Sequence, residues 1–161
     1  MRTLACLFAT LLVLVATMPT FAQSTEDTSP SDEDAIQELL DTLFDGMREG
    51  DSTKVRSVFY TGAVMARAQD MGMAPRPVDF FVRAVGSPHE VAWDERIWDV
   101  TIHVDQRLAT AWMEFAFFLG EDLHHCGVNS MMLYHADDGW KITYLADTDR
   151  GTDCDIPPEL Q

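Results

Sequence analysis

The sequence predicts an α+β domain, helices first and an antiparallel sheet after them, and three observations predict it. Ile36, Leu39, Leu40, Leu43, Phe44 and Met47 recur at helical spacing and form one apolar stripe. After Val91 the period falls to two, over runs at about 91–104, 107–119, 123–135 and 140–148. The separators Asp105-Gln106, Gly120-Glu121-Asp122 and Ala136-Asp137-Asp138-Gly139 are short, so neighbouring runs must pair antiparallel.

Each helix has its own start and stop. Ser31 stands as N-cap with Asp34 three residues on, and the acidic residues Asp32 to Asp34 suit the positive end of the helix dipole. Gly50 ends this helix, and Ser52 is placed to cap a second, whose Val55, Val58 and Phe59 repeat the spacing. The stretch Met71 to Pro77 holds two prolines and reads as a loop before a third helix from about Val78 to Val85, closed by Gly86-Ser87-Pro88.

The ends bound the domain. Met1-Arg2-Thr3, the apolar run Leu4 to Val15 and the small residues Thr20 and Ala22 form a secretory signal peptide over 1–22, too short to span a bilayer. Residues 23–31 read as a flexible acidic linker and 151–161 as a C-terminal tail, with one folded domain at 32–150. Export to the periplasm or the medium follows, with no membrane span in the mature protein. The formal charge is −16, which repels phosphates and argues against nucleic acid and anionic membrane partners. Cys126 and Cys154 remain after Cys6 leaves with the signal. In an oxidising compartment they are candidates for one disulfide, the alternative being two independent thiols.

Side-chain alternation sorts the strands into two faces once the turns set the register as Val104 with Arg107, Leu119 with Leu123 and His135 with Trp140. One face carries Trp98, Val100, Ile102, Met113, Phe115, Phe117, Met131, Leu133 and Ile142, with His125, Asn129 and Tyr144 embedded among them. The other carries Asp99, Trp112, His124, Cys126, Met132, Tyr134, Leu145 and Asp147, an apolar excess that suggests a homodimer interface or cover by the tail.

The terminal strand Asp138-Gly139-Trp140-Lys141-Ile142-Thr143-Tyr144, and the run His125-Cys126-Gly127-Val128-Asn129 followed by Ala146-Asp147-Thr148, carry a resemblance. Over about residues 32–150 the chain resembles the nuclear-transport-factor-2-like superfamily, which includes the SnoaL-like polyketide cyclases, steroid isomerase and many exported bacterial proteins. The resemblance implies a cone in which three N-terminal helices pack on the concave face of a curved antiparallel sheet of four to six strands. It also implies a pocket between helices and sheet, and a convex face that pairs two subunits. The aspartate and tyrosine of the steroid-isomerase mechanism have no matched positions, since Asp99 and Asp147 fall on the other face and Tyr60 has no assignable orientation.

The candidate ligand-binding residues are therefore His125, Asn129, Tyr144, Trp98 and Met113, around a small, largely apolar molecule. In an enzyme of isomerase, cyclase or hydrolase type, His125 would be the general base and Asn129 or Tyr144 would hold an oxyanion. The plainer account is that these three polar groups satisfy one another in a filled core, giving a dimeric interaction module without a ligand. No HExxH, CxxC or GxSxG pattern is present, and His124 and His125 cannot share an ion unless the strand bulges, so no metal or cofactor is expected.

Overall fold

The structure is a computed structural model that describes residues 31–161; the segments expected as a signal peptide (1–22) and as a linker up to Pro30 lie outside the described residues. Helix α1 spans Asp32–Glu49 and starts with a capping box, in which Ser31 Oγ accepts from Asp34 N (3.1 Å) and Ser31 N donates to Asp34 Oδ2 (3.2 Å). Its apolar stripe is buried throughout, and burying each such side chain is worth about 1.5–3 kcal/mol. Gly50 stops the helix at φ 69°, a left-handed conformation that glycine adopts without a Cβ penalty. Helix α2 spans Ser52–Ser57, but its cap is Asp51 rather than Ser52: Asp51 Oδ1 accepts from Thr53 N and Lys54 N at 2.8 and 3.0 Å. Helix α3 covers Asp79–Val85.

The strands are β1 (Phe59–Gln69), β2 (Gly72–Met73), β3 (Arg76–Pro77), β4 (Trp93–Asp105), β5 (Leu108–Leu119), β6 (Asp122–Ala136) and β7 (Gly139–Asp147). They form one sheet in the order β2-β1-β7-β6-β5-β4, with β3 also on β1. The meander from β4 to β7 is as expected, but β1 is a long strand that the sequence reading missed, and it runs parallel to β7, so the sheet is mixed. Val58 and Phe59, taken as a continuation of α2, are the helix cap and the first strand residue. The segment expected as a loop contributes two short pairings to β1, through β2 and β3.

Three bulges govern which side chains face the helices. In β4 the register shifts between Trp98 and Thr101, and Asp99 takes a positive φ of 51°. Val100 and Ile102 pack on the main core as predicted, joined by Val104, whereas Trp98 crosses to the opposite face, beside Cys126 and Cys154. In β7 the shift lies between Ile142 and Tyr144: Leu145 joins the core, Tyr144 is sent to the opposite face, and Asp147 turns inward. In β6 Phe117 faces His125 but Phe118 faces Leu123, which leaves His124 unpaired. The β4–β5 turn keeps its two-residue length but lies one residue later than expected, with Asp105 opposite Leu108, and the β5–β6 turn is tighter, with Leu119 opposite Asp122 rather than Leu123.

On the opposite face a second cluster joins Ala116, Phe118 and Cys126 to Ile156 of the tail. A Cys126–Cys154 disulfide ties the tail to β6, and Arg96 donates to Leu160 O (2.8 Å) while lying over the Phe118 ring (4.1 Å). Trp112 and Met132 on the same face remain exposed.

Candidate functional site

A cavity of about 370 Å³ lies between the helices and the core-facing side of the sheet. Leu43, Phe44 and Met47 of α1 and Phe81 of α3 form its helical wall, and Met65, Trp93, Phe117, Leu119 and Leu145 supply apolar surface from the strands. Six polar side chains complete the lining: Arg67, Glu95, His124, His125, Asn129 and Asp147. A second chamber of about 400 Å³ adjoins it, and the two share Met65, Arg67, Phe81 and Asp147.

The parallel β1–β7 pairing sets Arg67 directly opposite Asp147, and the guanidinium clamps that carboxylate through Nε (2.9 Å) and Nη2 (2.5 Å). Nη1 reaches Asp149 at 3.2 Å, and Nη2 also meets Nε2 of His125 at 3.1 Å. A guanidinium can only donate, so Nε2 of His125 is the unprotonated nitrogen and the neutral ring carries its proton on Nδ1. That proton has a partner 2.8 Å away in Nδ1 of His124, which places the His124 proton on Nε2. Burial lowers the His125 pKa from its ordinary value, and the positive charge of Arg67 lowers it further against the pull of Asp149 and Asp147.

Glu95 stands apart from this chain of contacts. Asn129 Nδ2 donates to its Oε1 at 2.7 Å. Burial raises the carboxyl pKa to about 7; the Asn129 bond and Arg67 oppose the rise, and Asp147 adds to it. Glu95 is thus poised between acid and base near neutrality, in a wall otherwise formed by Trp93 and Phe117.

Of the predicted site residues, His125 and Asn129 line the cavity. Met113 is fully buried in the core beside Asn129, and Trp98 and Tyr144 are on the far face because of the β4 and β7 bulges. His124 and His125 both face inward because the β6 bulge removes the alternation that would have separated them. Arg67, Glu95 and Asp147 were missed. A phase slip in the alternation was the available signal: Trp93, Glu95 and Ile97 are odd-numbered where Val100, Ile102 and Val104 are even, and Trp140 and Ile142 give way to Leu145 and Asp147. Among the described residues no group of three or more His, Cys, Asp or Glu is arranged to hold a metal ion, and no helix is long and apolar enough to cross a membrane.

Residues 31–144, well over half of the chain, match the model of a family described as "Putative lumazine-binding". The chain belongs to this family. No curated protein matches it. Among solved structures, this member of the lumazine-binding family is similar to an NTF2-like protein with a cystatin-like fold from Novosphingobium aromaticivorans, at 14% identity over 80% of this chain and 86% of that one, with a TM-score of 0.64. An NTF2-like protein from Cytophaga hutchinsonii gives 12% identity, 74% and 99% coverage and a TM-score of 0.64. An NTF2-like protein of unknown function from Shewanella baltica gives 15%, 73% and 93%, and 0.60. At these identities the likeness concerns the fold alone, which is the nuclear-transport-factor-2-like one.

Proposed function

We propose that this protein is exported and binds a small, largely apolar molecule in the cavity between α1, α3 and the sheet. The carrying observation is the cavity's asymmetry: about 370 Å³ of space with apolar walls and polar groups gathered from β1, β4, β6 and β7, within the size range of small-molecule sites. Arg67, Asp147 and His125 hold one another in place and Asn129 holds Glu95, so the polar groups are oriented before a ligand arrives. The family description, which names binding of a small heterocycle, supports the same reading.

Native, non-reducing mass spectrometry of protein recovered from its own compartment tests this. The expected result is an extra mass that leaves on denaturation. Recovery without any such mass, together with no uptake of the neutral fluorophore N-phenyl-1-naphthylamine, overturns the binding reading. The exposed Trp112, Leu108 and Met132 on the opposite face favour pairing of two copies there, which sedimentation of the Trp112→Lys variant checks.

Glu95 favours a second reading, proton transfer on a bound substrate. His125, the base expected from sequence, has its free nitrogen facing Arg67 and a lowered pKa, and Asn129 has a donor committed to Glu95. A carboxyl near neutral pKa is better matched to the task. A product formed by wild type and lost in Glu95→Gln, with ligand affinity retained, would establish this reading over simple binding.

A further inference from the structure

We propose that the ligand is an amphipathic anion, its apolar body in the inner cavity and its single anionic head in the outer chamber against Arg76. This rests on the reading of the inner cavity as a ligand site and names the class of molecule that fills it.

The argument begins with the arginines. The described residues contain ten Lys and Arg side chains, and eight of them make ion pairs with carboxylates, as a chain with 27 Asp and Glu makes easy. The two that make none among the described residues are Arg76 and Arg83, and both belong to the same region. Arg76 lines the outer chamber, and the Arg83 guanidinium lies 4.8 Å from the centroid of the Phe80 ring, which lines it too. The chamber's charged lining is Arg67, Arg76 and Asp147, a net charge of +1, and the one acid is already clamped by Arg67. Asp79 at the start of α3 is likewise taken by Arg56.

The outer chamber therefore presents an uncommitted guanidinium on an otherwise strongly acidic protein, and it shares Met65, Arg67, Phe81 and Asp147 with the apolar cavity. Arg76 is exposed at this chamber, so its guanidinium is open to an anionic group that a ligand brings. A guanidinium forms charge-assisted, often bidentate hydrogen bonds with a carboxylate or a similar head group. Phe80 is 59% exposed and its stacked Arg83 adds a second positive charge at the mouth.

The test compares an acid with its alcohol. N-phenyl-1-naphthylamine reports occupancy of the inner cavity by fluorescence, and decanoate and decan-1-ol are titrated as competitors. At low salt decanoate is expected to displace it at a concentration about tenfold lower or better than decan-1-ol, as a charge-assisted contact implies. In the Arg76→Gln/Arg83→Gln double variant the preference shrinks to about threefold or less while fluorophore affinity holds. An Arg107→Gln control, at the far β4–β5 turn, keeps the wild-type preference. Binding of the fluorophore with equal displacement by acid and alcohol overturns the anionic head and leaves the cavity reading standing. No fluorophore binding overturns both. Co-sedimentation with phosphatidylglycerol vesicles through the same two arginines, without a decanoate preference, also overturns the proposal, by making the region a membrane contact.

Discussion

Asn129 of β6 donates its side-chain amide to Glu95 of β4 at 2.7 Å, crossing the strand that separates them. This bond stabilises the charged form of a carboxyl that burial pushes the other way, and burial wins: the group titrates at about 7 instead of 4.5.

The consequence for stability follows from linkage. A pKa raised in the folded state means that the folded protein holds its proton more tightly. The contribution is fully present below about 4.5 and is lost as pH rises through about 7, a difference on the order of 3 kcal/mol. Glu95→Gln keeps the acceptor for Asn129 and removes the titration. Urea denaturation is expected to show the variant equal to wild type near pH 4 and more stable at pH 8, and parallel pH curves would refute the shift. Asn129→Leu removes the opposing bond, so the remaining Glu95 should titrate higher still.

His125 shifts in the other direction. Its lowered pKa keeps the ring neutral in the folded state, so its contribution is present above 6.5 and is lost as pH falls below that value. Long-range proton–nitrogen NMR correlations should show the proton on Nδ1 and a titration midpoint below 6.5. Arg67→Gln, which removes the nearby positive charge and the donor to Nε2, should raise that midpoint. A ring protonated on Nε2 at neutral pH would contradict the donor order inferred from Arg67.

The first helix was legible in full because a stripe at period 3.6 tolerates small errors, as Ile36 to Met47 illustrate, whereas the second, six residues long, was read too far, into Val58 and Phe59. The β4–β7 meander was legible because its turns are short. The site was only half legible, because each strand reading assumed unbroken alternation and β4, β6 and β7 each carry a bulge. One extra residue at Thr143 moves Tyr144, Leu145 and Asp147 to the faces opposite those expected, and one at Asp99 moves Trp98. His125 and Asn129 were placed correctly because they lie on the uninterrupted side of the β6 bulge. Arg67 could not be found at all without β1, whose parallel partner β7 is some eighty residues away in sequence.

The tail gives a prediction independent of the cavity. The Cys126–Cys154 bond closes a loop of 28 residues and holds Ile156 on Ala116 and Phe118. For a loop of this size chain-entropy models give a loss of about 3–4 kcal/mol when the link is removed. Cys126→Ser/Cys154→Ser should therefore denature at markedly lower urea. Intact mass of the native protein should be two hydrogens below that of the reduced chain, and free thiols in protein from an oxidising compartment would overturn the pairing.

Gly127 is the position where backbone space decides the site. A Cβ there would stand 2.2 Å from the carbonyl oxygen of Thr148, far inside van der Waals contact and against backbone that cannot rotate away. The close approach exists because the chain continues past β7 alongside β6: Thr148 N donates to Val128 O (3.0 Å), Arg150 N to Cys126 O (2.9 Å) and Cys126 N to Gly151 O (2.9 Å). This segment places Asp147 and Asp149 on Arg67, which in turn faces His125. Gly127→Ala must push the segment outward, at a cost of about 2 kcal/mol or more, and loosen both aspartates. The expected readouts are a lower denaturation midpoint and a change in the His125 titration, with the disulfide still formed. A variant with wild-type stability and an unmoved His125 would show that the two strand ends do not meet as closely as this arrangement of Arg67, Asp147 and His125 requires.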